Sequence, residues 1–319
     1  MDNKYSFTAE SLRQSLSCLN LSVAPTDFSS EQVNYLQYYG LDFGKKFRDL
    51  KHFFGSVQAN QHALATHCWV PTNAKGTIVV VHGLFDHAGL YRHLIEHLLS
   101  LDYAVFCFDL PGHGLSDGEL ARIESFDEYV EALQVCFQLA RRDLPYPLHL
   151  IGQSTGCSII MQWILSGKFQ RKDFPADKVV LLAPLVRPYL WNVNRFLYWV
   201  LRLFIKERQR RFVDGTEEPG FQYFVKHDDP LQANTLPIAW LKAMVRWQKK
   251  FSRSRPADIS VKIIQGNNDR TVDWKYNVGV IKQKLDARLL MLEGARHHLV
   301  NEKPDMRELI FDDIARELG

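Results

Sequence analysis

One short segment has the residue types and spacing of a nucleophilic serine site. Gly152, Ser154 and Gly156 form the pattern G-x-S-x-G between the apolar run LHLI and the helical run SIIMQWIL. A sharp turn from strand to helix exposes the serine hydroxyl at the start of the helix, where unpaired N–H groups favour negative charge. Glycines on both sides let such a turn pack closely against its neighbours. The segment therefore predicts Ser154 as a nucleophile.

The partners that a nucleophilic serine needs are also present in the sequence. A histidine must take the proton of the hydroxyl, and an acid must orient that histidine. In an open parallel sheet these groups gather at the carboxyl ends of the strands, with the acid before the histidine in the chain. Asp269 follows the strand-like run VKIIQG, and His297 and His298 follow the run ARLLML. Asp273 is a second acid in reach, but its position favours capping of the next helix.

The elements that would position these residues alternate between strand and helix. Two strand-like segments, 51–58 and 63–70, suggest a hairpin near the N-terminus. The later strand-like runs, all rich in β-branched and aliphatic residues, are 77–81, 104–109, 148–152, 178–183, 261–266 and 287–292. The helical stretches between them include 90–100, 126–142 and 274–285. Apolar runs of this kind predict strands covered on both faces, and hence an α/β fold with a mostly parallel, doubly wound sheet.

One interval between two strand-like runs is much longer than a crossover requires. About 75 residues separate KVVLLA from VKIIQG, which predicts a lid or a second domain. It contains two helical candidates, 195–206 and 238–251. At 100° per residue the first candidate has a basic face and an opposite apolar face. The basic residues are Arg195, Arg202 and Lys206, and the apolar residues are Val193, Leu197, Val200, Leu201 and Phe204.

The amphipathic candidate leaves two interpretations open. In one, its apolar face packs over the serine site and its basic face is solvated. In the other, the helix also attaches loosely to anionic lipid surfaces, as basic amphipathic helices with tryptophan do. With either interpretation, a lid rich in Leu, Phe and Trp indicates a substrate with an apolar tail.

Five ordered motifs resemble those of one group of α/β-hydrolases, which comprises monoacylglycerol lipases, lysophospholipases and serine aminopeptidases. The motifs are VVVHGLFDHAGLYRHL, FDLPGHGLSDG, GQSTG, QGNNDRTVD and EGARHHLVNE. The resemblance spans residues 76–317 apart from most of the long interval, and it implies an α/β-hydrolase fold with a Ser-His-Asp triad. It assigns the acid to Asp269 and the base to His297, which implies that His298 turns away from the site.

The backbone donors for the developing oxyanion follow from the same fold. One is usually the N–H group after the nucleophile, and the other comes from the loop after the third strand, which gives Thr155 and Leu84. The histidines expected to hold loops by hydrogen bonds rather than to act as the base are His82, His87 and His113. The usual elbow of the group is G-H-S-x-G with a bulky residue after the serine. Gln153 and Thr155 depart from it, which affects the shape of the acyl pocket.

These features predict four segments and one activity. Residues 46–184 and 259–319 would form the hydrolase core, 1–45 an N-terminal extension, and 185–258 a helical lid insertion. The expected reaction is hydrolysis of carboxylic esters with an apolar acyl chain through an acyl-enzyme, with neither a metal nor an organic cofactor. Amide hydrolysis, as in the aminopeptidase branch, would need acidic residues in the lid, which is basic. A non-catalytic interaction protein should have lost one of the three catalytic groups.

Composition limits the partners and the location. The net charge of +3 is too small to imply nucleic acid. Five cysteines without metal-ligand spacing favour a reduced, cytoplasmic protein. The N-terminus lacks the apolar segment of a secretory signal, and no apolar run approaches the roughly 20 residues of a membrane span. We therefore expect a cytoplasmic enzyme that acts on a small-molecule ester or lipid. Peripheral membrane contact through the lid is the interpretation that stays open.

Overall fold

The chain folds around one eight-stranded sheet, and the computed structural model describes residues 7–167, 169, 173–201, 204–210 and 212–319. The strands are β1 (Lys51–Ala59), β2 (His62–Val70), β3 (Thr77–Val81), β4 (Ala104–Phe108), β5 (Leu148–Gln153), β6 (Lys178–Leu182), β7 (Glu207–Gln209), β8 (Thr235–Pro237), β9 (Ser260–Gly266) and β10 (Asp286–Leu292). The order across the large sheet is β1-β2-β4-β3-β5-β6-β9-β10, and β7 pairs separately with β8. β1, β2 and β4 are joined antiparallel, and all other neighbours in the large sheet are parallel.

Helices cover both faces of this sheet. They are α1 (Ala9–Ser15), α2 (Ser30–Tyr39), α3 (Arg92–Ser100), α4 (Phe126–Asp143), α5 (Thr155–Ile164), α6 (Trp191–Leu201), α7 (Pro219–Tyr223), α8 (Ile238–Arg253), α9 (Trp274–Lys284) and α10 (Pro304–Leu318). Val79 and Val81 of β3 belong to a core with α4, α5 and α8, whereas Ile78 and Val80 belong to a core with α2, α3 and α10. The predicted doubly wound α/β sheet with an N-terminal hairpin is confirmed.

The central strands are continuous apolar runs because both of their faces are covered. Every residue of β3, β4 and β5 is buried, so no position on these strands needs a polar side chain facing water. Within the described part of the chain, no helix is long and apolar enough to cross a membrane.

The segment between β6 and β9 differs from its prediction in one helix. The predicted helix over 195–206 is wrong, because α6 begins at Trp191 and ends at Leu201. Lys206 instead accepts a hydrogen bond from the amide of Ile238 and leads directly into β7, which requires an extended backbone. Phe204 therefore also lies outside the helix, and Arg202 lies outside the described residues.

The predicted apolar face of this helix is not covered by the rest of the chain where it is described. Of its predicted members, Val193 and Phe204 are exposed, at 55% and 77%. Phe196 and Trp199, which the prediction did not place on that face, are also more than half exposed, at 65% and 61%. Arg195 is exposed as well, and the side chains of Leu197, Val200 and Leu201 lie outside the described residues. Trp191, at the start of α6, is the buried anchor of the helix.

A buried ion pair joins the N-terminal residues, the core and the long segment. Asp229 Oδ2 lies 3.0 Å from His87 Nε2, and its Oδ1 accepts a hydrogen bond of 2.7 Å from the hydroxyl of Tyr39 in α2. Ser29 caps α2 with a capping box to Gln32, which fixes the start of that helix. Burial opposes ionisation of both partners, but their opposite charges hold the pKa of Asp229 below and that of His87 above its usual range.

We predict that Asp229→Asn destabilises the protein by about 3 kcal/mol, because it leaves the charge of His87 buried without its counter-ion. Urea unfolding followed by circular dichroism measures the change. The matched control is Asp102→Asn, an exposed acid whose substitution should change stability by no more than about 0.5 kcal/mol. Equal stability of wild type and Asp229→Asn would show that the pair contributes nothing.

Candidate active site

The G-x-S-x-G segment forms the turn between β5 and α5. Ser154 has φ 52° and ψ −110°, a backbone conformation that L-residues rarely adopt. A Cβ atom on Gly156 would lie 2.1 Å from the carbonyl oxygen of Val81, and one on Gly152 would lie 2.9 Å from the amide nitrogen of Cys157. Only glycine fits at either position, so the two glycines are what allows the strained serine to sit against its neighbours.

The structure brings Ser154, His297 and Asp269 together. The Oγ atom of Ser154 lies 2.9 Å from Nε2 of His297, and Nδ1 of the same ring lies 2.7 Å from Oδ2 of Asp269. The three residues follow β5, β10 and β9, whose carboxyl ends share one edge of the sheet. All three side chains are buried, and Ser154 and His297 line a cavity. An imidazole held between a hydroxyl and a carboxylate can take the hydroxyl proton.

The carboxylate of Asp269 is ionised in spite of its burial. Burial alone would raise its pKa, but the charge of His297 and hydrogen bonds from the amides of Thr271 and Val272 hold the pKa below its usual range. Those amides donate to Oδ1 at 2.8 and 3.0 Å, which leaves Oδ2 for the imidazole. Burial correspondingly opposes the charged form of His297, and Asp269 more than offsets it, so the pKa of the imidazole is raised.

Gln153 has a positioning contact that the sequence did not reveal. Its Nε2 atom donates a hydrogen bond of 2.8 Å to the backbone carbonyl of His297, within the buried interior. The residue thus ties the end of β5 to the loop that carries the histidine. Nothing in the local sequence signals this contact, because it joins residues that lie 144 positions apart.

The two amides predicted to hold an oxyanion border the same cavity. Thr155 is the first residue of α5, and Leu84 follows Gly83 in the loop after β3. Asp86 shapes this loop, because its Oδ2 atom accepts hydrogen bonds from the amide of Gly83 and the hydroxyl of Tyr91.

His298 does not lie where the sequence predicted. It makes no contact with Ser154, but it lines the same cavity instead of turning away from it. Its Nε2 atom lies 3.2 Å from Oδ1 of Asp86, and its ring packs against Phe221 at 4.8 Å. His298 is therefore a wall of the cavity that also braces the loop carrying Leu84.

The other alternative residues have the structural contacts expected of them. Asp273 accepts a hydrogen bond from the amide of Tyr276 at the start of α9 and pairs with Arg187. The His82 ring forms hydrogen bonds with the carbonyl of Gly83 and the amide of Leu110, and the His113 ring with the carbonyl of Pro111. Burial lowers the pKa of His82 to about 3 and that of His113 to about 4, so both rings are neutral near pH 7.

The cavity above Ser154 has a volume of about 520 Å³ and is largely apolar. Its apolar lining includes Leu84, Phe85, Leu185, Pro188, Trp191, Phe212, Val213, Pro219, Phe221, Val225, Leu236, Trp240, Leu241, Val245 and Val272. Most of these residues belong to the segment between β6 and β9, which therefore supplies most of the apolar lining of the site. Among the residues that the structure describes, no group of three or more His, Cys, Asp or Glu side chains is arranged to hold a metal ion.

Comparison with known sequences identifies a family and several relatives. The family model described as serine aminopeptidase, S33, matches residues 72–304. A monoglyceride lipase of Homo sapiens is 28% identical over 279 residues, which cover 84% of this chain and 89% of that protein. Phospholipase YtpA of Bacillus subtilis is 32% identical over 255 residues, which cover 76% of this chain and 95% of that protein.

Comparison with solved structures shows the same fold. A soluble variant of monoglyceride lipase from Saccharomyces cerevisiae, solved with a substrate analogue, superposes with a TM-score of 0.69 at 18% identity. The match covers 83% of this chain and 94% of that one. The monoacylglycerol lipase of Paleococcus ferrophilus gives a TM-score of 0.62 at 21% identity and covers 80% of this chain and 97% of its own. The predicted α/β-hydrolase fold is confirmed.

The electrostatics of the site predict how His297 titrates. In the wild type the imidazole should titrate above its usual pKa, because Asp269 stabilises the imidazolium. Asp269→Asn removes that charge while burial remains, so the pKa of His297 should fall. Asp273→Asn is the matched control, since its carboxylate pairs with Arg187, and it should leave the titration in place. Nuclear magnetic resonance of the histidine rings measures the pKa of His297 in the wild type and in both variants. An unchanged pKa in Asp269→Asn would contradict the interaction between the two side chains.

Proposed function

The chain belongs to the serine aminopeptidase S33 family of α/β-hydrolases and is a serine ester hydrolase. We propose that it cleaves esters with an apolar acyl chain and that Ser154, His297 and Asp269 carry out the reaction. The observation that carries this proposal is the unbroken series of hydrogen bonds from Ser154 Oγ through the imidazole to Asp269. A hydroxyl in such a series is activated for attack on a carbonyl carbon.

In the proposed reaction, Ser154 Oγ attacks the ester carbonyl while His297 Nε2 accepts its proton. Asp269 holds the proton on Nδ1 and stabilises the imidazolium that forms. The amides of Thr155 and Leu84 donate to the negative oxygen, an interaction that lowers the barrier by several kcal/mol in such sites. The imidazolium then protonates the departing alcohol, and water hydrolyses the acyl-enzyme by the same steps.

An apolar acyl chain suits the cavity and the relatives. The side chains of Trp191, Leu236 and Trp240 line it, and burial of each methylene group of a chain against them contributes about 0.8 kcal/mol. Relatives of this chain include a monoglyceride lipase and a phospholipase, whose names both indicate action on acyl lipids.

Aminopeptidase activity is the alternative that the family description raises. A substrate with a free amine needs a carboxylate to receive it. Two carboxylates line the cavity: Asp86 already accepts hydrogen bonds from His298 and Tyr91, and Asp214 is mostly exposed near Arg296. Neither is a buried carboxylate free to bind an ammonium group, so the cavity favours esters.

We predict a preference for esters over amides when the acyl group is the same. Dodecanoyl p-nitrophenyl ester should be accelerated over its spontaneous hydrolysis, whereas leucyl p-nitroanilide should be turned over little because nothing receives its amine. Dodecanoyl p-nitroanilide is the matched control, since it differs from the ester only in the bond that is cleaved. Release of the chromophore measures each reaction. Faster turnover of leucyl p-nitroanilide than of the dodecanoyl ester would establish an aminopeptidase.

We also propose that residues 185–258 act as a lid on a core formed by residues 46–184 and 259–319. Residues 1–45 would be an extension that packs against this core. The contacts of Trp191 with the cavity support this division. The exposed rings of Phe196 and Trp199 beside Arg195 support loose attachment of the lid to an anionic lipid surface.

We predict that replacing Phe196 and Trp199 by serine weakens binding to vesicles of phosphatidylglycerol by about tenfold or more, because two aromatic side chains no longer enter the interface. Cosedimentation with vesicles measures the binding. Leu309→Ser is the matched control, as it removes an exposed apolar side chain from α10, and it should bind as the wild type does. Wild-type protein that stays in the supernatant would exclude the attachment.

A further inference from the structure

Among the described residues, the guanidinium groups of Arg208 and Arg210 line the cavity, although most of its lining is apolar. Arg210 follows β7, and its guanidinium carbon lies 4.1 Å from the ring centre of Phe85 and 4.4 Å from that of Phe212. Packing between two aromatic rings fixes the planar group in one orientation and is favourable for arginine. All three residues line the cavity that contains Ser154.

Part of the hydrogen-bonding capacity of Arg210 is unused. Its Nη1 atom donates to Oε1 of Gln232 and to the carbonyl oxygen of Ala233. An arginine side chain has five N–H donors, and within the described residues its Nε and Nη2 atoms donate to no acceptor. Burial lowers the pKa of Arg210 to about 10, so the group remains charged near pH 7 at a cost in solvation.

The nearest carboxylates do not occupy these donors. The charges of Asp86 and Asp229 act on Arg210 and partly offset the effect of its burial. Both oxygens of Asp229, however, accept hydrogen bonds from other partners, which include Tyr39 and His87. Asp86 is likewise engaged on both oxygens. The guanidinium is therefore near negative charge, but no carboxylate in the described part of the chain is bound to it.

The position of Arg210 relates it to the alcohol part of an ester. Its ring partner Phe85 directly follows Leu84, whose amide is one of the two proposed oxyanion donors. An acyl chain next to unpaired N–H groups would leave them without water or acceptor, which costs free energy. The chain is better accommodated by the apolar wall, which leaves the polar end of the substrate on the side of Arg210.

We propose that Arg210 binds a negatively charged group on the alcohol part of the ester, a phosphate or a carboxylate, so that acyl esters of anionic alcohols are the preferred substrates. This inference rests on the proposed ester hydrolysis. A planar guanidinium with two neighbouring donors matches the oxygens of either anion in two parallel hydrogen bonds. Lys226 also lines the cavity and adds positive charge to it.

The test compares three dodecanoyl esters that differ only in the alcohol: glycerol, glycerol phosphate and glyceric acid. The wild type should have a kcat/KM about tenfold or more higher for the two anionic esters than for the glycerol ester. Arg210→Gln should lower kcat/KM for the anionic esters by about 10- to 100-fold and change the glycerol ester less than about twofold. Arg210→Lys should lie between, because it keeps the charge but loses the planar pair of donors.

The control variant is Arg141→Gln, an exposed arginine in α4, which should behave as the wild type does. The relative rates for glycerol phosphate and glyceric acid show which anion the site prefers. A wild type that hydrolyses the glycerol ester as fast as the anionic esters would overturn the inference. An equal loss on all three esters in Arg210→Gln would also overturn it, because a purely structural role produces that result.

A second measurement keeps the inference testable if Arg210→Gln does not fold. Dodecyl phosphate should bind the wild type about tenfold or more tightly than dodecanol does in titration calorimetry, because only the phosphate offers Arg210 a charged acceptor with two oxygens side by side. Equal affinity for the two would refute the assignment of Arg210. This binding does not require turnover, so failure of the proposed ester hydrolysis, with no ester cleaved, is distinguishable from failure of the anion site.

Discussion

The contact between the Ser154 hydroxyl and the His297 imidazole is the interaction on which the proposed chemistry depends. It joins residues that lie 143 positions apart, and it forms because β5 and β10 end at the same edge of a parallel sheet. The strained backbone at Ser154 raises the hydroxyl out of that edge, and the carboxylate of Asp269 turns the ring toward it. A shift of one strand along its neighbour would separate the two atoms, so the register of the sheet is also a requirement of the site.

Three pairs of histidine and carboxylate, two of them buried and one half-buried, organise the cavity and its surroundings. His297 pairs with Asp269 beside the nucleophile, His298 with Asp86 in the cavity wall, and His87 with Asp229 where the long segment meets the core. Burial penalises each carboxylate, and each is compensated by its histidine and further hydrogen bonds. The segment over the site is thus attached to the core by the same kind of interaction that orients the reacting imidazole.

The sheet and the reacting groups could be predicted from the sequence because both leave local signals. Buried parallel strands require continuous apolar runs, so the bounds of β3 were predicted to the residue and those of the other seven strands of the large sheet to within one residue. The short strands β7 and β8 were not predicted. Glycines at 152 and 156 mark a turn that no other residue fits. The helix over 195–206 failed because amphipathic spacing does not show where a chain leaves the helix to pair as a three-residue strand.

Contacts between distant side chains left no local signal. The hydrogen bond from Gln153 to the loop of His297 and the packing of Arg210 on Phe85 depend on how separate segments meet in space. His298 was expected to turn away because the resemblance assigns the base to His297, yet both histidines line the cavity.

The most direct test of the central claim is the site of covalent labelling by a fluorophosphonate, read by mass spectrometry of the intact protein and its peptides. A hydroxyl activated by His297 should give a single adduct, on the peptide that contains Ser154. The adduct should be absent in Ser154→Ala and should form far more slowly in His297→Gln. Folded wild-type protein that remains unlabelled, or an adduct that persists in Ser154→Ala, would contradict the account.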